Sequence, residues 1–249
     1  TMFRSGNPTL SEKAFNHYSQ EQTNEVMTVQ GTIKNSFVML FLLIASAMFV
    51  WTKASSIGLE SITLWTGFGF IASLILAIVT TFKKEWSSYT APFYAVTEGL
   101  LIGGISIFAE TQFPGIVFQA VTLTFGTFFC LLFAYNSGYI KATENFKAGM
   151  VSAMGGIFIV YLASFVLGIF GIQVPLIHSS GLFGIGFSVF VVIIAALNLV
   201  LDFDFIEKAA EKRLPKYFEW YGAFALTVTL VWLYLEILRL LMKLNSRRD

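Results

Sequence analysis

Apolar residues gather into seven stretches along this chain, each of roughly the twenty residues a helix needs to cross the hydrocarbon core of a bilayer. They run over Ile33–Trp51, Ile62–Phe82, Thr90–Ala109, Gly115–Tyr135, Gly149–Phe170, Leu182–Leu201 and Gly222–Leu241. The polar gaps between them are short, which predicts antiparallel neighbours in an all-α bundle of seven transmembrane helices. The pattern divides the chain into a polar arm over 1–32, a helical membrane domain over 33–244 and a basic tail over 245–249. The arm lacks the apolar core of a signal peptide, and a helical pattern is present only around Leu10–Tyr18.

Composition strengthens this reading. Of 249 residues, 56% are hydrophobic and 12% charged, where a soluble domain carries about a quarter charged residues. The 27 Phe, nine Tyr and five Trp suit a lipid-facing surface with aromatic belts at its edges. A net charge of +1 without a basic cluster argues against a nucleic-acid partner. The single Cys130 permits no internal disulfide. Eleven of the sixteen Lys and Arg residues fall in segments that share a side with the N-terminus, and Lys53, Lys243, Arg247 and Arg248 fall opposite. The positive-inside bias therefore predicts a cytosolic N-terminus and an outer C-terminus, in a plasma (bacterial inner) membrane.

Small residues punctuate the spans at Gly99, Gly103 and Gly104, at Gly155 and Gly156, and at Gly181, Gly184 and Gly186. All are expected to allow close approach of helices.

Several chemistries are excluded. His17 and His178 are the only histidines, and neither an HExxH nor a CxxC is present, so a zinc hydrolase does not fit. No GxSxG elbow occurs. A retinal protein needs a lysine midway along its last helix, whereas Lys243 stands at the end. No enzyme activity and no cofactor are expected.

What remains is a set of acids at membrane depth, where ionisable residues are costly and usually functional. Asp202 and Asp204 close the sixth span, and a charged hairpin follows up to Leu214-Pro215. Glu236 lies inside the seventh, on a face shared with Thr229, Trp232, Arg239 and Lys243 at spacings of three and four. Turned inward, this face would line a hydrated path. Alternatively, Glu236 and Arg239 form an i, i+3 pair that neutralises both. Glu98, in the third span, is either a carboxylate facing a polar cavity or a structural hydrogen bonder. Gln119, Asn136 and Asn198 read as interhelical hydrogen bonders.

The segments LDFDFIE (Leu201–Glu207) and LYLEILRLL (Leu233–Leu241) resemble the acidic motifs of the Bax-inhibitor-motif, YccA-like membrane protein family. YAVTEGLLIGGIS (Tyr94–Ser106) and SGYIKAT (Ser137–Thr143) are similar to other segments of that family. The resemblance covers most of the chain from Ile33 onward. It implies a bundle with the last helix central, ringed by the other six. It also implies a carboxylate pair, here Asp202 and Glu236, that acts as a proton-sensitive latch on a calcium leak and holds Ca²⁺ transiently. Three features depart from the family pattern. Glu236 stands where Asp is usual, the link between the acids is longer than the family's short form, and the second span has no arginine to hold the sixth-helix acid.

Two carboxylates held close cannot both ionise cheaply, so they share a proton; losing it leaves anions that attract a hard, oxygen-seeking cation. If the hairpin turns at Leu214-Pro215, however, Asp202 is level with Leu226 and Glu236 lies roughly 15 Å farther along at the helical rise. Direct pairing then needs an unwound or tilted sixth helix, and Asp204 and Glu219 are the other partners nearer the cytosolic mouth. The leading expectation is a pH-sensitive calcium (cation) leak channel. The alternative is a non-conducting regulator that binds a membrane protease or a cell-death partner, and a proton-coupled transporter comes third.

Overall fold

The computed structural model of the protein describes residues 25–57, 59–170 and 181–247. The expected helix at Leu10–Tyr18, both histidines, Gly58, the loop Gln173–Ser180 and Arg248 lie outside these residues. The described elements are α1 (Val29–Ile57), α2 (Leu59–Phe82), a 3-10 turn (Lys84–Trp86), α3 (Ser87–Gln112), α4 (Ile116–Asn136), α5 (Glu144–Ile169), α6 (Leu182–Glu211) and α7 (Phe218–Asn245). Among the described residues seven helices are long and apolar enough to cross a membrane. Each contains one of the seven apolar stretches or nearly all of it.

Local chemistry explains the helix ends. The α4 helix stops where Gly138 takes a left-handed φ of 74°, and the Tyr139 N–H reaches back to the Ala134 carbonyl, a Schellman closure. Thr143 caps α5 by accepting the Phe146 N–H at 3.3 Å, with Glu144 in the first turn against the positive helix end. At the end of α6 the left-handed residue is Arg213 (φ 53°), and the Leu214 N–H closes on the Ala209 carbonyl. Pro215 follows, where no helix can continue.

Several helices are longer than their apolar stretches. The α1 helix begins at Val29, inside the segment read as an arm, and α7 runs through Lys243 to Asn245. The α6 helix continues past Leu201 to Glu211 without unwinding. Hydropathy measures only the hydrocarbon-spanning part of a helix, and the 30 residues of α6 extend about 45 Å at the helical rise, well beyond a core of about 30 Å. The acidic LDFDFIE motif is thus helical throughout.

Burial differs from helix to helix. The apolar windows of α3 and α7 are 67% buried and that of α6 56%, against 17% for α2, α4 and α5 and 28% for α1. The last helix is a buried one, as expected, and it shares that status with α3 and α6.

The chain forms two compact units. In the first, residues 25–112 and 205–228, α3 is in backbone contact with α1 and α2. A Cβ added at Gly99 would collide with Ser46 Oγ and the Leu43 carbonyl, and one at Gly103 would come within 2.8 Å of the Ala47 carbonyl. One at Gly104 would strike Thr66 Oγ1. These glycines serve close approach, as expected. At Gly155, Gly156 and Gly186 the expectation fails, because a Cβ there would meet nothing within 4 Å. Spacing alone does not distinguish a glycine facing a helix from one facing outward.

Within this unit the stretch before α1 is tied to the turn between α6 and α7. The Met27 N–H donates to the Leu214 carbonyl at 2.7 Å and the Lys216 N–H to the Glu25 carbonyl at 3.2 Å, around an antiparallel bridge between Val26 and Pro215. Thr28 caps α1 by accepting the Gly31 N–H at 3.0 Å on its hydroxyl, and Glu219 Oε1 holds that cap by accepting from both the Thr28 N–H (2.9 Å) and the Thr28 hydroxyl (2.7 Å).

In the second unit, residues 113–204 and 229–247, an apolar cluster centres on Met150, Ile157, Val191, Ile194 and Leu201, with Tyr161 and Trp232 packed against it. Here α6 and α7 run antiparallel: Asn198 meets Thr229 at one end and Gly184 meets Lys243 at the other.

Candidate functional site

The polar side chains of the second unit fall into three groups along α7, on the face set by the spacing Thr229, Trp232, Glu236, Arg239 and Lys243. At the first level Asn198 Nδ2 donates to Thr229 Oγ1 at 2.9 Å. Asn198 thus bridges helices, as expected. Asp202 is one turn farther along α6, fully buried, with the Thr229 hydroxyl as its polar neighbour. Neither carboxylate oxygen has a hydrogen-bond partner of good geometry among the described residues, and Asn198 Oδ1 is in the same position. An unpartnered polar group in an apolar interior costs on the order of 1–3 kcal/mol, and a charged one more.

The second level is the acid of the last helix. Glu236, only 3% exposed, lies beneath Arg239, which is 42% exposed. Arg239 Nη1 donates to the Glu236 oxygens at 3.0 and 3.1 Å and to the Tyr161 hydroxyl at 2.6 Å. That hydroxyl in turn donates to the same two oxygens, at 3.0 and 3.1 Å. Tyr161 comes from α5, and its ring also carries the guanidinium, 5.3 Å from the ring centroid. At the third level Lys243 is buried and donates to the Gly184 carbonyl (3.0 Å) and to Ser188 Oγ (2.8 Å).

Between the first two levels Trp232 on α7 and Ile194 on α6 belong to the apolar cluster, and Val191, also in it, is level with Glu236. Thr229 and Glu236 are seven residues apart on α7, about 10 Å at the helical rise. Thr229 and Glu236 are therefore on one face of α7 but two turns apart, and the bonds recorded for Glu236 go to Tyr161 and Arg239. Since α6 runs antiparallel to α7 and Asp202 follows Asn198 by one turn, its backbone is one turn nearer the hairpin than Thr229. The offset between the acids is thus about as large as hairpin geometry implied, and only the Asp202 side chain reaches back towards the Thr229 hydroxyl.

The other sequence candidates have separate surroundings. Asp204 Oδ2 is 3.0 Å from Lys147 Nζ, which also reaches Glu144 at 3.4 Å. Glu219 belongs to the first unit, where it holds the Thr28 cap of α1 and pairs with Lys216 at 3.1 Å. Glu98 is buried in the same unit, against the Ser73 hydroxyl. The i, i+3 pairing of Glu236 with Arg239 is present, and it coexists with an inward-facing stripe.

Two participants, Tyr161 and Lys147, escape a sequence reading, and Lys243, already on the α7 stripe, is more buried than its place among the tail charges implied. Tyr161 lies in a uniformly apolar span with nothing to single it out. Lys147 and Lys243 count as loop and tail charges, yet both are buried in ion pairs or hydrogen bonds. For Lys147 the signal was Glu144 three residues earlier. For Lys243 it was the regular continuation of the α7 stripe. Among the described residues no three His, Cys, Asp or Glu side chains converge as a metal site.

Seven membrane-length helices, with one buried carboxylate on α6 and another on α7 in the second unit, define an integral membrane protein. The chain belongs to the Bax inhibitor 1 like family, whose model matches residues 7–246. No curated protein and no solved structure matches it.

Proposed function

We propose that this protein is a proton-sensitive leak for cations, calcium first, with Asp202 and Glu236 as the carboxylates of its path. The observation that carries the reading is Asp202. The described acids with structural work have partners: Asp204 has Lys147, and Glu219 has Thr28 and Lys216. Asp202 is as deeply buried and lacks such a partner among the described residues. A carboxylate in that position takes up either a proton or a cation. Those two events are the elementary steps of a leak that responds to pH.

The apolar layer at Trp232 and Ile194 supplies the barrier of the closed state, because a dry constriction blocks a hydrated ion. The offset between the acids changes the latch from a direct carboxyl pair to two stations on either side of this layer. The proton on Asp202 and the occupant of Glu236 then set the charge felt by an entering cation. Two carboxylates are too few for a tight calcium cage, which takes six to eight oxygens, and this suits passage better than storage.

The test is calcium flux into vesicles holding the purified protein, measured across pH. Asp202→Asn and Glu236→Gln should each remove the pH response, since an amide cannot ionise. The double substitution should be no worse than either single one, as for groups acting as a unit. Wild-type pH profiles in both single variants would sink the role of these carboxylates, and absence of flux in the wild-type protein would favour a non-conducting regulator.

A further inference from the structure

The Glu236 site contains a cation already, and that cation is part of the chain. The carboxylate is 3% exposed and the guanidinium above it 42%, so Arg239 lies between Glu236 and the surface of the unit. A single nitrogen, Nη1, reaches both carboxylate oxygens and the Tyr161 hydroxyl. The oxygens a metal ion would need are thus hydrogen-bonded by both Arg239 and the Tyr161 hydroxyl, which also bond each other. Lys243, one turn onward, adds positive charge, but Gly184 and Ser188 hold its ammonium. Among the described residues the charged or titratable groups recorded against Glu236 are Tyr161, Arg239 and Lys243. A second cation arriving at this level would meet repulsion until the guanidinium moved away.

We infer that Arg239 is a tethered competitor, occupying on Glu236 the place a divalent, oxygen-seeking cation takes, and that Tyr161 is a positioning residue holding it there. This rests on the leak reading for its physiological meaning, although the competition itself is a binding property. Two features suit Arg239 to the role. It sits on the same helix as the carboxylate it covers, so its release needs a side-chain swing and no helix movement. Its guanidinium is half-exposed, so the pair is weaker than a buried one and can be displaced. The Tyr161 ring gives the guanidinium a second surface to rest on, which keeps it over the carboxylate rather than in solvent.

Terbium binding to the purified protein in detergent tests the inference without any flux. Tb³⁺ replaces calcium at oxygen sites and luminesces when a neighbouring tryptophan is excited, and Trp232 stands one turn before Glu236. Arg239→Gln should tighten Tb³⁺ binding about tenfold, the size of one charge-assisted contact. Tyr161→Phe, which keeps the ring and loses the hydroxyl, should tighten it roughly two- to threefold. Arg239→Lys should fall between wild type and Arg239→Gln, because an ammonium keeps the charge without the planar fork. The gain should vanish in the Glu236→Gln/Arg239→Gln double variant, and Trp232→Phe should remove the sensitised signal. Binding in Arg239→Gln no tighter than wild type, or a gain that survives in the double variant, overturns the proposal. Should Arg239→Gln fail to fold, Tyr161→Phe decides by the same criterion. Absence of calcium flux in the wild-type protein would count against the leak alone, and the terbium arms would still judge the competition.

Discussion

Replacing Lys147 by Met leaves most of the side-chain length in place and removes one charge. Its ammonium is 3.0 Å from Asp204 and 4% exposed, and the Asp204 side chain is 13% exposed. At an effective dielectric near 20, unit charges at that distance attract by about 5 kcal/mol before desolvation is counted. The Glu144 contact is longer, 3.4 Å, and Glu144 is 53% exposed, which limits it to roughly 1 kcal/mol or less. Taking one partner from a buried pair costs about 3–5 kcal/mol, and the slight exposure of Asp204 favours the lower end. Lys147→Met should therefore destabilise by about 3 kcal/mol and Glu144→Gln by well under 1. Lys147→Met/Asp204→Asn should recover most of the loss, because no charge is left stranded. Denaturant unfolding of the purified protein in micelles, run as a double-mutant cycle, measures all three. A coupling energy below about 0.5 kcal/mol, the usual limit of additivity, would refute the reasoning. So would equal losses in Lys147→Met and Glu144→Gln.

Two further outcomes are checked in the same unfolding assay. Gly99→Ala should cost about 1–3 kcal/mol through overpacking, because its Cβ meets the Leu43 backbone, whereas Gly155→Ala meets nothing within 4 Å and should be neutral or stabilising. Comparable losses at both positions would contradict the assignment of close approach to α3. Glu219→Ala should cost about 1–2 kcal/mol by leaving the Thr28 N–H and hydroxyl without their acceptor, and Glu219→Gln less, since the amide oxygen still accepts from Thr28. Identical losses in the two variants would argue against those hydrogen bonds.

The seven spans were legible because a bilayer imposes one requirement, apolar length, that hydropathy measures directly. Helix ends were less so: the α6 end depends on Arg213 in a left-handed conformation, which few sequences advertise. The acids Asp202 and Glu236 stood out by their cost at depth, and the i, i+3 spacing exposed Arg239. Tyr161 did not, because a phenol in an apolar span has the same hydropathy whether it faces lipid or a carboxylate. The levels of Asp202 and Glu236 depend on the register of α6 against α7, which Asn198, Thr229, Lys243 and Gly184 fix together. No single stretch of sequence contains that register.

The cap on α1 has a consequence for how the protein is made. Thr28 and the Glu219 that satisfies it are 191 residues apart. A ribosome adding roughly 5–20 residues per second emits the start of the first helix on the order of 10–40 seconds before the partner of Thr28 exists. Through that interval Thr28 can cap the helix through Gly31, but it lacks Glu219, and Val26 lacks its pairing with Pro215. A nascent chain halted before the last helix would display those same loose groups at the membrane surface. A completed one would hide them, so a quality-control factor that reads backbone amides could tell unfinished chains from finished ones.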